Sequence, residues 1–157
     1  MVSPGNPLKP AAGMAPLQER LASAGRIADG HRIIATDIEA RMGTRFTRDT
    51  MRELKRRFPC VHFVWLMGAD NLIQLPHWGR WQEIMHAMPM LVVPRPGATR
   101  PALAGQAAKR HQKGRLPARA GLCLPMIRAP AWILLPVREN GVSATELRRR
   151  NLEGTQS

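Results

Sequence analysis

The sequence predicts an α/β domain built on a parallel sheet. Helical patterns alternate along the chain with short apolar runs. Those runs are apolar at nearly every position, as strands covered on both faces are. No apolar run approaches the ~20 residues of a membrane span. At 157 residues the chain is expected to form a single domain, 1–157, with a core of its own.

The elements follow in order. The opening MVSPGNPLKP holds three prolines and a glycine in ten residues. Proline fixes φ and lacks an N–H, so this stretch reads as a shaped loop. Residues 14–29, MAPLQERLASAGRIAD, put Leu17, Leu21, Ala24 and Ala28 on one helical stripe, and Gly30 stops it. Residues 32–36 read as a short strand. Residues 47–58, TRDTMRELKRRF, form the strongest helical pattern. Thr47 is placed to cap it, Met51, Leu54 and Phe58 to face inward, and Pro59 to end it. Residues 61–67, VHFVWLM, read as a buried strand that Gly68 breaks, and Ala69, Asp70 and Asn71 open a helix. A helix over 81–88 and a strand over 89–93 come next. Residues 99–130 are poorly patterned, an Ala, Gly and Arg-rich stretch expected to have room to flex. Residues 131–135, AWILL, are the last strand, and SATE at 143–146 starts a helix with capping-box spacing.

Charge is the other strong signal. Lys and Arg number 24 against 11 Asp and Glu, a formal net charge of +13. Such a surface attracts polyanions, phosphorylated substrates among them. The charge is densest at Lys55, Arg56 and Arg57, across 110–119, and at Arg148, Arg149 and Arg150. Aromatic residues make up 4% of the chain, with no tyrosine, so stacking platforms for single-stranded nucleic acid are scarce. Anion binding on an arginine-rich composition is expected, not a dedicated nucleic-acid module. Cys60 and Cys123 lack metal-ligand spacing and read as reduced, partly buried thiols of a cytoplasmic protein.

Ligands of open parallel sheets bind at the carboxyl ends of the strands. At the first such junction, Gly68 lets backbone approach a ligand, and Asp70 and Asn71 can hydrogen-bond a ribose or an amide; taken alone, Asp70 reads first as a plain helix cap, since Asp and Asn are common there. Trp78 and Trp81 follow, each able to pack in the core or to stack on a flat heterocycle. At the last junction, VSATELRRR, Ser143 and Thr145 can hold phosphate oxygens, with Arg148 one turn on; an ordinary capping box is the alternative. No Walker lysine, GxSxG elbow or zinc cluster is present.

Five blocks, SPGNPLKP, TRFTRDTMRELKRRFP, FVWLMGADNLIQLPHWGRWQEI, the RPG after the next strand, and VSATELR, together resemble bacterial nicotinate-nucleotide adenylyltransferases. In that family the last block reads close to ISSTxIR. The resemblance implies a Rossmann-like parallel sheet with flanking helices. It also implies transfer of an adenylyl group from ATP to nicotinate mononucleotide, with Mg²⁺ as helper, giving nicotinate adenine dinucleotide and pyrophosphate. Such enzymes work by positioning and by neutralising phosphate charge. By the same resemblance, Thr47, Gly68, Asp70, Asn71, Trp78 and Arg95 lie at the mononucleotide, with Trp78 over its ring. Lys9, Ser143, Thr145 and Arg148 lie at ATP and its phosphates.

The sequence departs from the family at one point. Family members begin with a strand and a loop near GGxFDPxHxGH, and here none of His31, His62, His77, His86 or His111 sits in an HxGH. No catalytic residue and no metal ligand is therefore assigned. The chain is expected to begin inside the domain, without the first strand and helix. Loss of that central strand would bare sheet edges and apolar side chains, so these residues alone are expected to be poorly stable and almost or wholly inactive. Three other readings stand beside the enzyme. A phosphopantetheine adenylyltransferase-like enzyme would share the fold but leave GADN and the tryptophan pair unexplained. An inactive fragment or nucleotide-binding-only protein would bind mononucleotide without turnover. A basic nucleic-acid-binding protein would show affinity falling steeply with salt.

Overall fold

The computed structural model describes residues 1–5 and 14–139. These described residues fall into two compact units that divide between Val61 and His62.

The first unit is helical: α1 (Leu17–Ile27), α2 (Ile38–Arg41) and α3 (Thr47–Arg57). In α1 the predicted stripe of Leu17, Leu21, Ala24 and Ala28 is half-buried, and most of the remaining helix positions are exposed. Arg20 shares that side. Its guanidinium donates to the carbonyls of Ser3 (2.7 Å), Pro4 (3.1 Å) and Ala15 (2.9 Å), tying the start of the chain to the helix.

Residues 32–36 form no strand, contrary to the sequence pattern. The N–H groups a ladder would need are used locally: the Asp29 carboxylate accepts from His31 (3.0 Å), Arg32 (2.8 Å) and Ile33 (2.8 Å). These bonds, with that from Ile33 the strongest, hold the Asp29 carboxyl below its ordinary value. Ile33 and Ile34 are left 60% and 64% exposed. The one strand-like link here is Val2 N–H to the Thr36 carbonyl, at 2.7 Å.

α3 follows its predicted span with two corrections. Thr47 is its first residue and not its cap; Phe46 stands at the cap and makes no side-chain bond there. Thr50, one turn in, lies instead 2.8 Å from the Thr44 hydroxyl and 3.3 Å from Glu39 Oε1. Met51 is buried and Leu54 half-buried as expected, but Phe58 is 40% exposed. The helix stops at Arg57, and Phe58, at φ −128°, has left the helical stripe.

The second unit carries the sheet. β1 (Trp65–Gly68), β2 (Met90–Val93) and β3 (Trp132–Leu134) are parallel and lie in that order. Between them run α4 (Ala69–Gln74), a 3₁₀ turn (Leu75–His77), α5 (Trp81–Ala87), α6 (Thr99–Ala104) and α7 (Gln106–Arg110). This is the helix-flanked parallel sheet that the alternating sequence pattern predicts. Side chains alternate between its faces. Met67, Val92, Met90 and Trp132 share one face by register and are all buried, with α4 packed on β1 and β2, and α6 and α7 packed on α4. On the other face Ile133 is buried in a cluster with Leu124 and Ala131, and Leu91 packs against it.

β1 is shorter than its apolar run and is not covered on both faces. Residues 61–64 lie outside it, and Leu66 is 59% exposed beside the buried Met67. The 99–130 stretch holds α6, α7 and two 3₁₀ segments, Gln112–Gly114 and Ala118–Met126. Cys60 and Cys123 are free as expected but exposed, not partly buried.

His111, at the end of α7, is 8% exposed, with its ring 5.4 Å from that of His86 and 5.6 Å from that of Trp81. Burial holds its imidazole below the ordinary value of 6.5, and the charges of His86 and Arg110 push the same way. The unfolded chain then takes up this proton near pH ~6.5 while the folded chain does so only lower. Stability is accordingly flat with respect to this group above that value and falls as pH drops through the window below it. Melting temperatures between about pH 7.5 and about pH 5.5 are expected to fall for the native chain and to fall less for His111→Gln. Identical slopes in the two would disprove the assignment.

Candidate nucleotide-binding site

The carboxyl ends of β1 and β2 come together because Gly68 pairs with Val93. Two residues past Val93, Arg95 turns back over Gly68. A Cβ at Gly68 would overlap an Asp70 carboxyl oxygen and stand 3.1 Å from Arg95 Nε. At φ −78° the backbone here is ordinary, so glycine is needed for space and not for conformation. Asp70 Oδ1 and Arg95 Nε are 3.9 Å apart, with side chains 51% and 49% exposed. An ion pair that open to water holds its partners weakly, so an incoming anion can take the guanidinium at little cost.

Arg95 itself is held by its backbone. Its N–H donates to the Thr99 hydroxyl at 3.0 Å, and its carbonyl accepts from the N–H groups of Ala98 and Thr99. That hydroxyl lies 2.6 Å from Glu139 Oε1, the acceptor closest to it. Gly97, at φ +71°, closes the turn.

The open alternatives at this junction are decided in part. Gly68, not Asp70, is the cap of α4, and Asp70 makes no capping bond. Asn71 follows, half-buried. Trp78 is half-buried and packs on Trp65, with ring centroids 5.9 Å apart and planes tilted by 46°. Its indole N–H is buried with no acceptor among the described residues. Trp81 opens α5 and meets His111 edge-on.

Thr47 belongs to the first unit and lines a cavity of about 230 Å³ there, with Ser3, Arg20, Glu39 and Arg45 among its walls. Glu39 is 5% exposed, and its Oε2 has no hydrogen-bond partner among the described residues. The sequence pattern did not single out these wall residues. Arg20 had one available signal, since it falls between Leu17 and Leu21 on the half-buried side of α1. Lys9, Ser143, Thr145 and Arg148 lie outside the described residues, as does the helix expected at 143–146.

Among the described residues no group of three or more His, Cys, Asp or Glu side chains could hold a metal ion. Asp70 is turned to Arg95. No described helix is long and apolar enough to cross a membrane.

The helix-flanked parallel sheet is that of a Rossmann-like nucleotidyltransferase, and residues 1–150 match the cytidylyltransferase-like family. The chain is 57% identical over 150 residues to a probable nicotinate-nucleotide adenylyltransferase of Gluconobacter oxydans, covering 94% of this chain and 76% of that protein. Proteins of the same description from Parvibaculum lavamentivorans and Gluconacetobacter diazotrophicus are 51% and 50% identical, covering 96% and 94% of this chain and 75% and 69% of their own lengths. The chain belongs to the nicotinate-nucleotide adenylyltransferase family.

Proposed function

We propose that this chain binds nicotinate mononucleotide at the ends of β1 and β2 and serves its adenylylation by ATP. A phosphate oxygen of the mononucleotide forms a bond to the α-phosphorus of ATP. The bond from that phosphorus to the bridging oxygen breaks, and pyrophosphate leaves. The observation that carries this reading is Arg95 folded over Gly68 and only loosely paired with Asp70.

In this reading each residue binds or positions. Gly68 keeps the floor open. Arg95 exchanges Asp70 for the mononucleotide phosphate, a charge-assisted bond. Asp70, once released, and Asn71 accept from and donate to the ribose or the pyridine substituent. Trp78, braced by Trp65, offers a flat wall to the nicotinate ring. By the family resemblance alone, Thr47 is assigned to the mononucleotide, and Lys9, Ser143, Thr145 and Arg148 to the ATP phosphates. Mg²⁺ enters with ATP, as part of that substrate, and neutralises phosphate charge. The reaction belongs to NAD synthesis, in the cytoplasm.

Calorimetric titration of the full chain with nicotinate mononucleotide tests the reading. Arg95→Gln is expected to weaken binding by about 10- to 100-fold, the worth of one charge-assisted contact. Unchanged affinity would remove Arg95 from the site and with it the main support for this function.

A further inference from the structure

A second cavity, of about 240 Å³, lies in the sheet-bearing unit, lined by Leu103, Ala108, Lys109, Gln112, Arg115 and Trp132. Trp132 is the first residue of β3 and pairs with Met90, the first of β2. The strands are parallel, so this cavity is at the opposite end of the sheet from Gly68 and Arg95.

Its floor is rigid. Trp132 is 1% exposed, and its indole N–H donates to the His111 carbonyl at 2.9 Å. The Arg115 guanidinium stands over the indole, 5.4 Å from the ring centroid. Backbone fixes the same corner: Leu116 N–H donates to the Trp132 carbonyl at 2.9 Å. A Cβ at Gly114 would overlap the Pro130 carbonyl oxygen, so the chain entering Arg115 cannot move away without breaking this packing.

Among the described residues the charge here has no acidic counterpart. Residues 84–138 contain nine Lys or Arg and not one Asp or Glu. Of the two acids that bracket the stretch, Glu83 pairs with Arg80 and Glu139 meets the Thr99 hydroxyl. Arg115 and Lys109 make no ion pair among the described residues.

We propose that this cavity is a second anion site, taking a small phosphate-bearing ligand between Lys109 and Arg115. Two separate cations and the Gln112 amide present donors from three positions, which suits a tetrahedral group with several acceptor oxygens. The cation–π contact with Trp132 restricts the guanidinium before any ligand arrives, which lowers the ordering cost of binding. Size restricts the ligand further. Pockets for drug-sized molecules run from about 300 to 1,000 Å³, so this one admits inorganic phosphate or a sugar phosphate and not a dinucleotide. Being at the other end of the sheet, such a ligand does not compete for Arg95. It acts on the fold through Trp132.

Thermal melts of the full chain in sodium phosphate, against sodium chloride at equal ionic strength, test this. The chloride arm is needed because any salt screens the self-repulsion of a protein with net charge +13. At about tenfold its dissociation constant, phosphate is expected to raise the melting temperature by about 3–6 °C beyond chloride. Most of that excess should vanish in Arg115→Gln and in Lys109→Gln, and survive in part in Arg115→Lys, which keeps the charge but not the planar group over the ring. It should also survive in Arg119→Gln, which removes the same charge elsewhere in the stretch. Each variant is compared with its own melt in chloride, so lost packing on Trp132 does not enter. The proposal is overturned by equal shifts in the two salts, by an excess that persists in both Lys109→Gln and Arg115→Gln, or by an equal loss in Arg119→Gln.

Discussion

Trp132→Ala is expected to bring the urea midpoint of the chain down further than any other single change described. The side chain is 1% exposed and among the largest fully buried groups of the molecule. Truncating a buried tryptophan costs about 3–5 kcal/mol through lost transfer energy and the cavity left behind. Total stabilities are only about 5–15 kcal/mol, so a large share would go at once. Two further losses act at this position. The His111 carbonyl gives up its indole donor, and Arg115 gives up the ring it stands over. Trp132→Phe separates these terms, since it keeps most of the apolar volume and removes the N–H; about 1–2 kcal/mol is expected. A midpoint for Trp132→Ala within error of the native chain would contradict the packing described for β3.

The helix-flanked parallel sheet was readable because its signals are local and strong. The start of α3, Pro59 beyond it, and the apolar runs that became β2 and β3 each contrast with their neighbours in sequence. The failures share a different cause. Residues 32–36 have strand-like composition, but the Asp29 carboxylate sits three and four residues before Arg32 and Ile33 and takes up their donors. A side chain that competes with the ladder defeats a pattern of hydrophobicity. Residues 99–130 gave no pattern because α6 and α7 are six and five residues long, too short for a helical period to show, and are rich in alanine. Leu66 looked buried because a run of apolar residues says nothing about which face a neighbouring element covers.

At the candidate site the sequence revealed residues but not their meeting. Gly68 is legible as a strand end, and Arg95 stands out in a Pro-Arg-Pro-Gly turn. That the two touch depends on the register Gly68↔Val93 between strands separated by two helices, which no local signal encodes. The same holds for Glu39 and Thr50, eleven residues apart, whose 3.3 Å contact is made by the turn before α3.

Gly68→Ala is expected to separate binding from stability. The new methyl group would meet the Asp70 carboxylate and Arg95 Nε, both parts of half-exposed, flexible side chains, and the backbone at φ −78° accepts alanine without strain. Both side chains can therefore swing aside, and the melting temperature should move little, within the ±0.5 kcal/mol or so of an ordinary surface change. In doing so they leave the positions from which they would hold a mononucleotide. Affinity for nicotinate mononucleotide is expected to fall by about 10- to 100-fold, because small displacements of a binding group are costly. A double-mutant cycle sharpens the outcome. If Gly68→Ala acts by displacing the Arg95 guanidinium, it should cost little more once Arg95→Gln has removed that group, giving strong coupling between the two changes. Losses that simply multiply would mean that Gly68 and Arg95 act on different parts of the ligand, and the site would have to be redrawn around the α4 side of the junction alone.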